Sequence, residues 1–212
     1  MITIKTFVFN SFQVNSFVLH DETKEAIIID PACENSQEYD ELIDYIAENK
    51  LVPIAVVNTH AHIDHILGVE TIKNKFKIPF KLHKEDEFLV ENAPQSAMMF
   101  GFEFASIPLI EEYIDEGTVI KFGHSELIPY HVPGHSPGSL VFFGAKDKFI
   151  IAGDVLFKGS IGRTDLPGGD YETLITGIKS KLLTLPSDTS VYPGHGPATS
   201  IGQEHDTNPF LI

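Results

Sequence analysis

Cysteine occurs once in the 212 residues, at Cys33, and arginine once, at Arg163. A single thiol excludes an intramolecular disulfide and any cysteine-rich zinc site; beside Pro31-Ala32 it reads as small apolar filler. No apolar run approaches the length that spans a bilayer, and the opening Met1-Ile-Thr-Ile-Lys5 lacks a signal-peptide pattern, so a cytoplasmic location is expected. Positive charge is scarce: 15 basic residues face 30 acidic ones, a net −15 that argues against nucleic acid and anionic membranes as partners. Five lysines still gather at Lys73, Lys75, Lys77, Lys81 and Lys84. A solvated helix and turn is the ordinary reading of that cluster, an anion-guiding rim the functional one.

What is present fits a globular protein with a sizeable core, 42% hydrophobic and of a length that suits one domain over residues 1–212. Short branched or aromatic runs predict strands at 2–9, 15–19, 25–30 and 53–58. Helical spacing follows Ser36, a suitable N-cap, through Leu42, Ile43 and Ile46, and again from Ile66 through Val69, Ile72 and Lys73. A strand at 78–82 and a helix at 84–90 come next. The stretch 91–117 is less regular and carries Met98, Met99, Phe100, Phe102 and Phe104. It reads as a cap or flap lining an apolar pocket, with a packed core helix as the alternative. Strands are expected again at 119–122, 126–132, 139–144, 148–152 and 191–192, with a glycine-rich loop at 159–169 and a helix from Tyr171 to Leu182. Strand clusters alternating with helices imply an α/β protein of two sheets covered by helices.

Histidines and aspartates recur where the apolar runs end. Thr59-His-Ala-His-Ile-Asp-His65 comes first, followed by Pro133-Gly-His135, Gly153-Asp154 and Pro193-Gly-His195. A strand followed by glycine and a metal-capable side chain places a ligand on a rigid base beside a sharp turn. Seven residues result: His60, His62, Asp64, His65, His135, Asp154 and His195. Imidazole and carboxylate suit zinc, with iron or manganese as alternatives. One tetrahedral ion rarely takes more than four protein ligands, so seven suit two divalent ions about 3.5–4 Å apart. Burying so many polar groups without a metal would be costly. His20, His83, His124, His131 and His205 stand outside these fragments and are expected to be structural.

The four fragments together resemble the metallo-β-lactamase fold and, within it, the glyoxalase II (hydroxyacylglutathione hydrolase) branch. The resemblance implies a four-layer αββα sandwich. It also implies that His60, His62 and His135 hold one metal, that Asp64, His65 and His195 hold the other, and that Asp154 bridges them. The segment Asp154-Val-Leu-Phe-Lys-Gly-Ser-Ile-Gly-Arg163 is similar to one in which a basic residue contacts glutathione, so Arg163 becomes a candidate substrate contact. An ion pair with Asp165 or Asp170 is its structural alternative. Two glyoxalase II features are missing. Pro197 stands where a substrate-contacting tyrosine is found, and no separate C-terminal helical domain follows, so the likeness is to the short bacterial type.

The implied activity is hydrolysis of a small-molecule thioester, S-D-lactoylglutathione or a related acyl-thioester, by a hydroxide bridging two metals and oriented by Asp64. A persulfide dioxygenase with a single iron, or another hydrolase of the fold such as a lactonase, is the alternative. Thioesters suit the residues because a thiol leaves as thiolate from a pKa near about 8.5, without a dedicated acid.

Overall fold

Residues 1–104 and 106–212 are described by a computed structural model. The first sheet runs in chain order through β1 (Thr3–Phe9), β2 (Val14–His20), β3 (Glu25–Ile29), β4 (Val52–Val57), β5 (Phe80–Leu82) and β6 (Glu112–Tyr113). The first three strands are antiparallel neighbours, and the rest join in parallel. The second sheet holds β7 (Ile120–Phe122), β8 (Ser125–His131), β9 (Leu140–Gly144) and β10 (Phe149–Gly153). A two-stranded hairpin of β11 (Leu156–Phe157) and β12 (Ser160–Ile161) precedes its last members, β13 (Ser190–Pro193) and β14 (Thr199–Ser200). Only the β10–β13 pair in this second sheet is parallel.

The period of two along the strands separates three apolar layers. Phe17, Leu19, Ile27 and Ile29 face Leu140, Phe142, Phe149 and Ile151 of the opposite sheet. Val18, Ile28 and Val56 on the alternate face pack under α1 (Ser36–Glu48) through Leu42 and Ile46. After α2 (Ile63–Ile66), the helix α3 (Val69–Phe76) covers the same face with Ile72. The first sheet's helices continue with α4 (Glu87–Glu91) and α5 (Ala93–Phe100). Beyond the second sheet, Val141, Ile150 and Val191 meet Leu174 of α6 (Tyr171–Gly177), Ile178 and Leu182 of the π-helical turn that continues it, and Ile201 of α7 (Ile201–Thr207). The order helix, sheet, sheet, helix is the expected four-layer sandwich.

Several local expectations change. Asn35, not Ser36, caps α1, its side chain accepting from the Glu38 amide. The helix expected at 84–90 is a 3-10 turn, Lys84–Asp86, followed by α4. Within 91–117 the chain forms α5, whose Ala93 and Ala97 are buried while Met98 and Met99 are 78% and 73% exposed, so only one of its faces is core. Phe102 is buried, and the segment closes on the first sheet as β6. Ala105, part of the cap expectation, lies outside the described residues. Two of the five clustered lysines are engaged, while Lys75, Lys77 and Lys84 are exposed. Lys73 is buried and bonded to Glu111, and Lys81 pairs with Glu112 at 2.6 Å, so both fasten the β6 segment.

Candidate metal centre

The C-terminal ends of β4, β10 and β13 and the loop after β8 meet at one edge of the sandwich, the end of an α/β sheet where ligands ordinarily bind. Asn58, at the end of β4, holds the first loop by donating from its amide to the His60 and His65 carbonyls. The Leu140 amide donates to the Thr59 carbonyl at 2.8 Å, tying that loop to the second sheet. Parallel pairing of β10 with β13 sets Gly153 beside Pro193, so Asp154 and His195 leave adjacent strands together. Gly153 has φ +49°, and a side chain there would press on Thr59. At Gly194 a Cβ would collide with Asp154 Oδ1. These two glycines are dictated by how closely the ligand loops approach.

All seven sequence-chosen side chains converge. His60 Nε2 lies 3.3 Å from His135 Nε2, and His62 Nδ1 lies 2.9 Å from the same atom. On the other side His65 Nε2 is 3.3 Å from His195 Nε2, and Asp64 Oδ2 is 3.7 Å from the first and 3.4 Å from the second. Asp154 stands between the two groups. Its Oδ1 is 3.5 Å from His65 Nε2, and its Oδ2 is 3.6 Å from His135 Nε2 and 3.5 Å from His195 Nε2.

The outward nitrogens decide what the inward ones can be. His135 Nδ1 donates to the Arg163 carbonyl at 2.8 Å, and His195 Nδ1 to the Phe12 carbonyl at 2.9 Å. His65 Nδ1 donates to Asp30 Oδ2 at 3.1 Å. The Thr59 hydroxyl donates to the same Asp30 oxygen at 2.6 Å, which leaves its lone pair to accept from His60 Nδ1 at 3.1 Å. In these four rings the outer nitrogen carries a proton, so Nε2 is the atom that would offer a lone pair to an ion. Such nitrogens converging within 3.3 Å of one another, with a buried Asp154 Oδ1 lacking any donor, are the electrostatic complement of cations. The residues fit divalent metal ions in two groups, His60–His62–His135 and Asp64–His65–His195, each with its ligand atoms within 4.8 Å.

Without an ion, protons take part of that role. Burial disfavours a charged ring at His65 and His195, but the surrounding carboxylates outweigh it: Asp154 and Asp64 push His65 well above the ordinary imidazole range and His195 to about 9. Burial and neighbouring rings hold His60 well below that range and His62 at about 3. Burial alone would raise Asp154; His65 and His195 instead hold it well below the carboxylate range. A raised folded-state pKa contributes stability that is complete below the unfolded value of 6.5 and is lost as pH climbs through about 9. Depressed His60 and His62 act oppositely, destabilising the fold as pH drops below 6.5. Metal-free protein is therefore expected to melt at progressively lower temperature from pH 6.5 to 9, and metal-saturated protein to show a flatter curve. Calorimetric scans with and without chelator check this; equal slopes would contradict it.

Sequence reasoning missed the supporting residues. Asp30, fully buried with φ +46°, accepts from the Thr59 amide at 2.7 Å as well as from Thr59 Oγ1 and His65. Its signal was present, a carboxylate ending an apolar run, but no glycine preceded it. The β1–β2 turn was also missed. Asn10 Nδ2 in it donates to the Asp64 carbonyl at 2.9 Å, and the Asn15 amide group at the start of β2 donates to the Pro193 and Gly196 carbonyls, so turn and strand together strap the Asp64–His195 side. Phe12 in that turn packs on Phe100 and Phe102 with ring centroids 5.6 and 5.2 Å away, an apolar lip beside His195. Arg163 shows the ion pair expected as its alternative role. Its guanidinium makes a two-pronged pair with Asp165, both contacts 2.7 Å, on a side chain 60% exposed.

Of the remaining histidines, His83 and His131 stack at 4.1 Å, and His131 Nε2 donates to the Pro137 carbonyl at 2.7 Å. With Glu85 they could surround an ion, but that engaged nitrogen makes them a packed pair.

The sequence matches the family model described as the Metallo-beta-lactamase superfamily over residues 10–195. It is 39% identical to the Haemophilus influenzae protein named hydroxyacylglutathione hydrolase GloC, over 95% of this chain and 94% of that one. Among solved structures, BLEG-1, described as a B3 metallo-β-lactamase, superposes with a TM-score of 0.91 at 37% identity, covering 99% of this chain and all of that one. TTHA1623 in a di-iron-bound form gives 0.88 at 36% identity, covering 98% and 100%. With the same layers, the same site edge and this extent of match, the chain belongs to the metallo-β-lactamase superfamily, whose fold binds metal ions.

Proposed function

We propose that this metallo-hydrolase is a thioesterase of the glyoxalase II type, acting on S-D-lactoylglutathione or a related acyl-thioester with two divalent ions, zinc foremost. The observation that carries the reading is the pair of candidate ligand groups with the Asp154 carboxylate within 3.6 Å of a ring nitrogen in each. His60, His62 and His135 would hold one ion, and Asp64, His65 and His195 the other. Ions bound there supply Lewis acidity and a water whose pKa falls to about 7. The chain's own part is to fix geometry: Asp30, Thr59 and the carbonyls of Phe12 and Arg163 hold a proton on each outer ring nitrogen and so turn the inward nitrogens toward the ions.

Among the described residues, no lysine or tyrosine hydroxyl hydrogen-bonds to any of the seven. A site without a spare proton donor suits a leaving group that departs unprotonated, as thiolate does and an amine does not. Similarity to GloC supports a glutathione carrier, while similarity to BLEG-1 makes a β-lactam the second substrate to assay. The test is turnover of S-D-lactoylglutathione and of a β-lactam by protein with measured metal content, with oxygen uptake on glutathione persulfide alongside. Oxygen uptake with one iron, or lactam turnover exceeding thioester turnover, would defeat the reading.

Arg163 enters as a contact for a substrate carboxylate, which must compete with Asp165 for the guanidinium. Arg163→Ala is expected to raise KM for the glutathione thioester a few-fold and to leave kcat unchanged, because the carbonyl that His135 uses is backbone. Steady-state kinetics decide; an unchanged KM removes Arg163 from substrate binding.

A further inference from the structure

Asp86 precedes α4 at a position where aspartate ordinarily caps the helix, yet its side chain makes no cap hydrogen bond. It is fully buried, and every partner of its carboxylate lies on a different loop. Oδ2 accepts from the Ala61 amide at 3.0 Å and from Ser136 Oγ at 2.7 Å, while Oδ1 accepts from the Gly138 amide at 2.6 Å. Ala61 is the residue between His60 and His62, and Ser136 directly follows His135. Gly138 has no room for a side chain against this carboxylate. One buried group thus fastens together both loops that carry the three-histidine set, and none of its hydrogen bonds reaches Asp64, His65 or His195.

We propose that Asp86 is a positioning residue for the three-histidine ion alone, holding the His60–His62 loop at a fixed distance from His135. This rests on the metal reading above. The carboxylate serves three donors with two acceptor oxygens, which a neutral amide cannot do. Asp86→Asn turns an N–H toward either Gly138 or Ala61, so a donor faces a donor and one loop must shift. The ligand atoms move with the loop, and the affinity of that ion falls.

The experiment separates the two ions. His195→Ala leaves the three-histidine set intact, and His60→Ala leaves the other; each is titrated with zinc against a competing chromophoric chelator, with and without Asp86→Asn. In the His195→Ala background the zinc dissociation constant is expected to rise about 10–100-fold, the usual effect of losing an outer partner of a ligand. In the His60→Ala background it stays within about threefold. Ser136→Ala, which removes one donor and leaves both amides served, provides a milder variant should Asp86→Asn fold poorly; it is expected to weaken the three-histidine ion a few-fold only. Equal weakening in both backgrounds, or a lower melting temperature of metal-free protein with unchanged zinc affinity, reduces Asp86 to a general structural role and overturns the proposal. No zinc on the His195→Ala protein with Asp86 intact overturns the metal reading itself, and the proposal with it.

Discussion

Asp154→Ala is expected to cut thioester turnover on the order of 10³-fold or more and to leave the protein with fewer than two tightly held ions. The reason is position. The Asp154 carboxylate touches both groups, its Oδ1 lying 3.5 Å from His65 Nε2 and its Oδ2 3.6 Å from His135 Nε2 and 3.5 Å from His195 Nε2. On the proposed assignment, losing any one histidine removes a ligand from a single group, whereas losing Asp154 removes one from both. The change also strips His65 and His195 of the carboxylate that most strongly favours their charged forms, so the metal-free centre loses its internal compensation. A small residue at 154 adds no clash, because Gly153 and Gly194 already clear the space. The fold should therefore survive and the loss be local. Metal analysis and kcat/KM on the same preparation test this; two retained ions with a rate within tenfold of wild type would remove Asp154 from the centre. Asp154→Asn, similar in shape but uncharged, is expected to fall close to the alanine variant, since charge rather than bulk is what the position supplies.

The sequence disclosed the centre more fully than its support, for a physical reason. Each proposed ligand sits at the end of an apolar run beside a small or turning residue, a local pattern that can be read without knowing the fold. The residues that hold the ligands in register act across 25 to 183 positions of chain, as Asp86 does with Ala61 and Phe12 with His195, and no local window contains both partners. Asp86 lies in Lys84-Glu85-Asp86-Glu87, a charged run whose pattern is that of a solvated turn, although Asp86 itself is wholly buried. The sheets were legible through their branched and aromatic runs. β6, β11, β12 and β14, two residues each, were not, because a period of two cannot be seen in two residues. α7 escaped as well: Ile201-Gly-Gln-Glu-His-Asp-Thr207 offers a single buried apolar anchor, Ile201, and the buried Glu204 reaches Thr199, Gly159 and Asn208 rather than a core. Arg163 was legible with both of its readings, the substrate contact and the ion pair with a nearby aspartate. The resemblance supplied the first, and the carboxylate of the second stands only two residues away.

Asp30→Ala is expected to destabilise the protein by about 3–5 kcal/mol, the range for removing one member of a buried charged network. Asp30 is fully buried and serves three donors: the Thr59 amide, the Thr59 hydroxyl and His65 Nδ1. Alanine leaves all three without a partner in a space that their geometry does not open to water. The backbone adds to the loss, since φ +46° is tolerated by aspartate and asparagine better than by alanine. For a chain of this length each kcal/mol lowers the melting temperature by roughly 2–4 °C, so a drop on the order of 10 °C is the expected reading. Asp30→Asn separates the two contributions. It keeps the favourable backbone and the shape, but its single oxygen serves either the Thr59 amide or the Thr59 hydroxyl and His65, so it should lose about half as much stability. Both variants should also weaken the ion held by Asp64, His65 and His195, because His65 then loses the acceptor that fixes its outer proton. The Asp64 side is affected directly through His65, the His60 side only through Thr59. Thermal melts of metal-free protein measure the first effect, and zinc titration in the His60→Ala background measures the second. If Asp30→Ala melts within about 2 °C of wild type, the Asp30 network is not what holds β3 to the His60 loop.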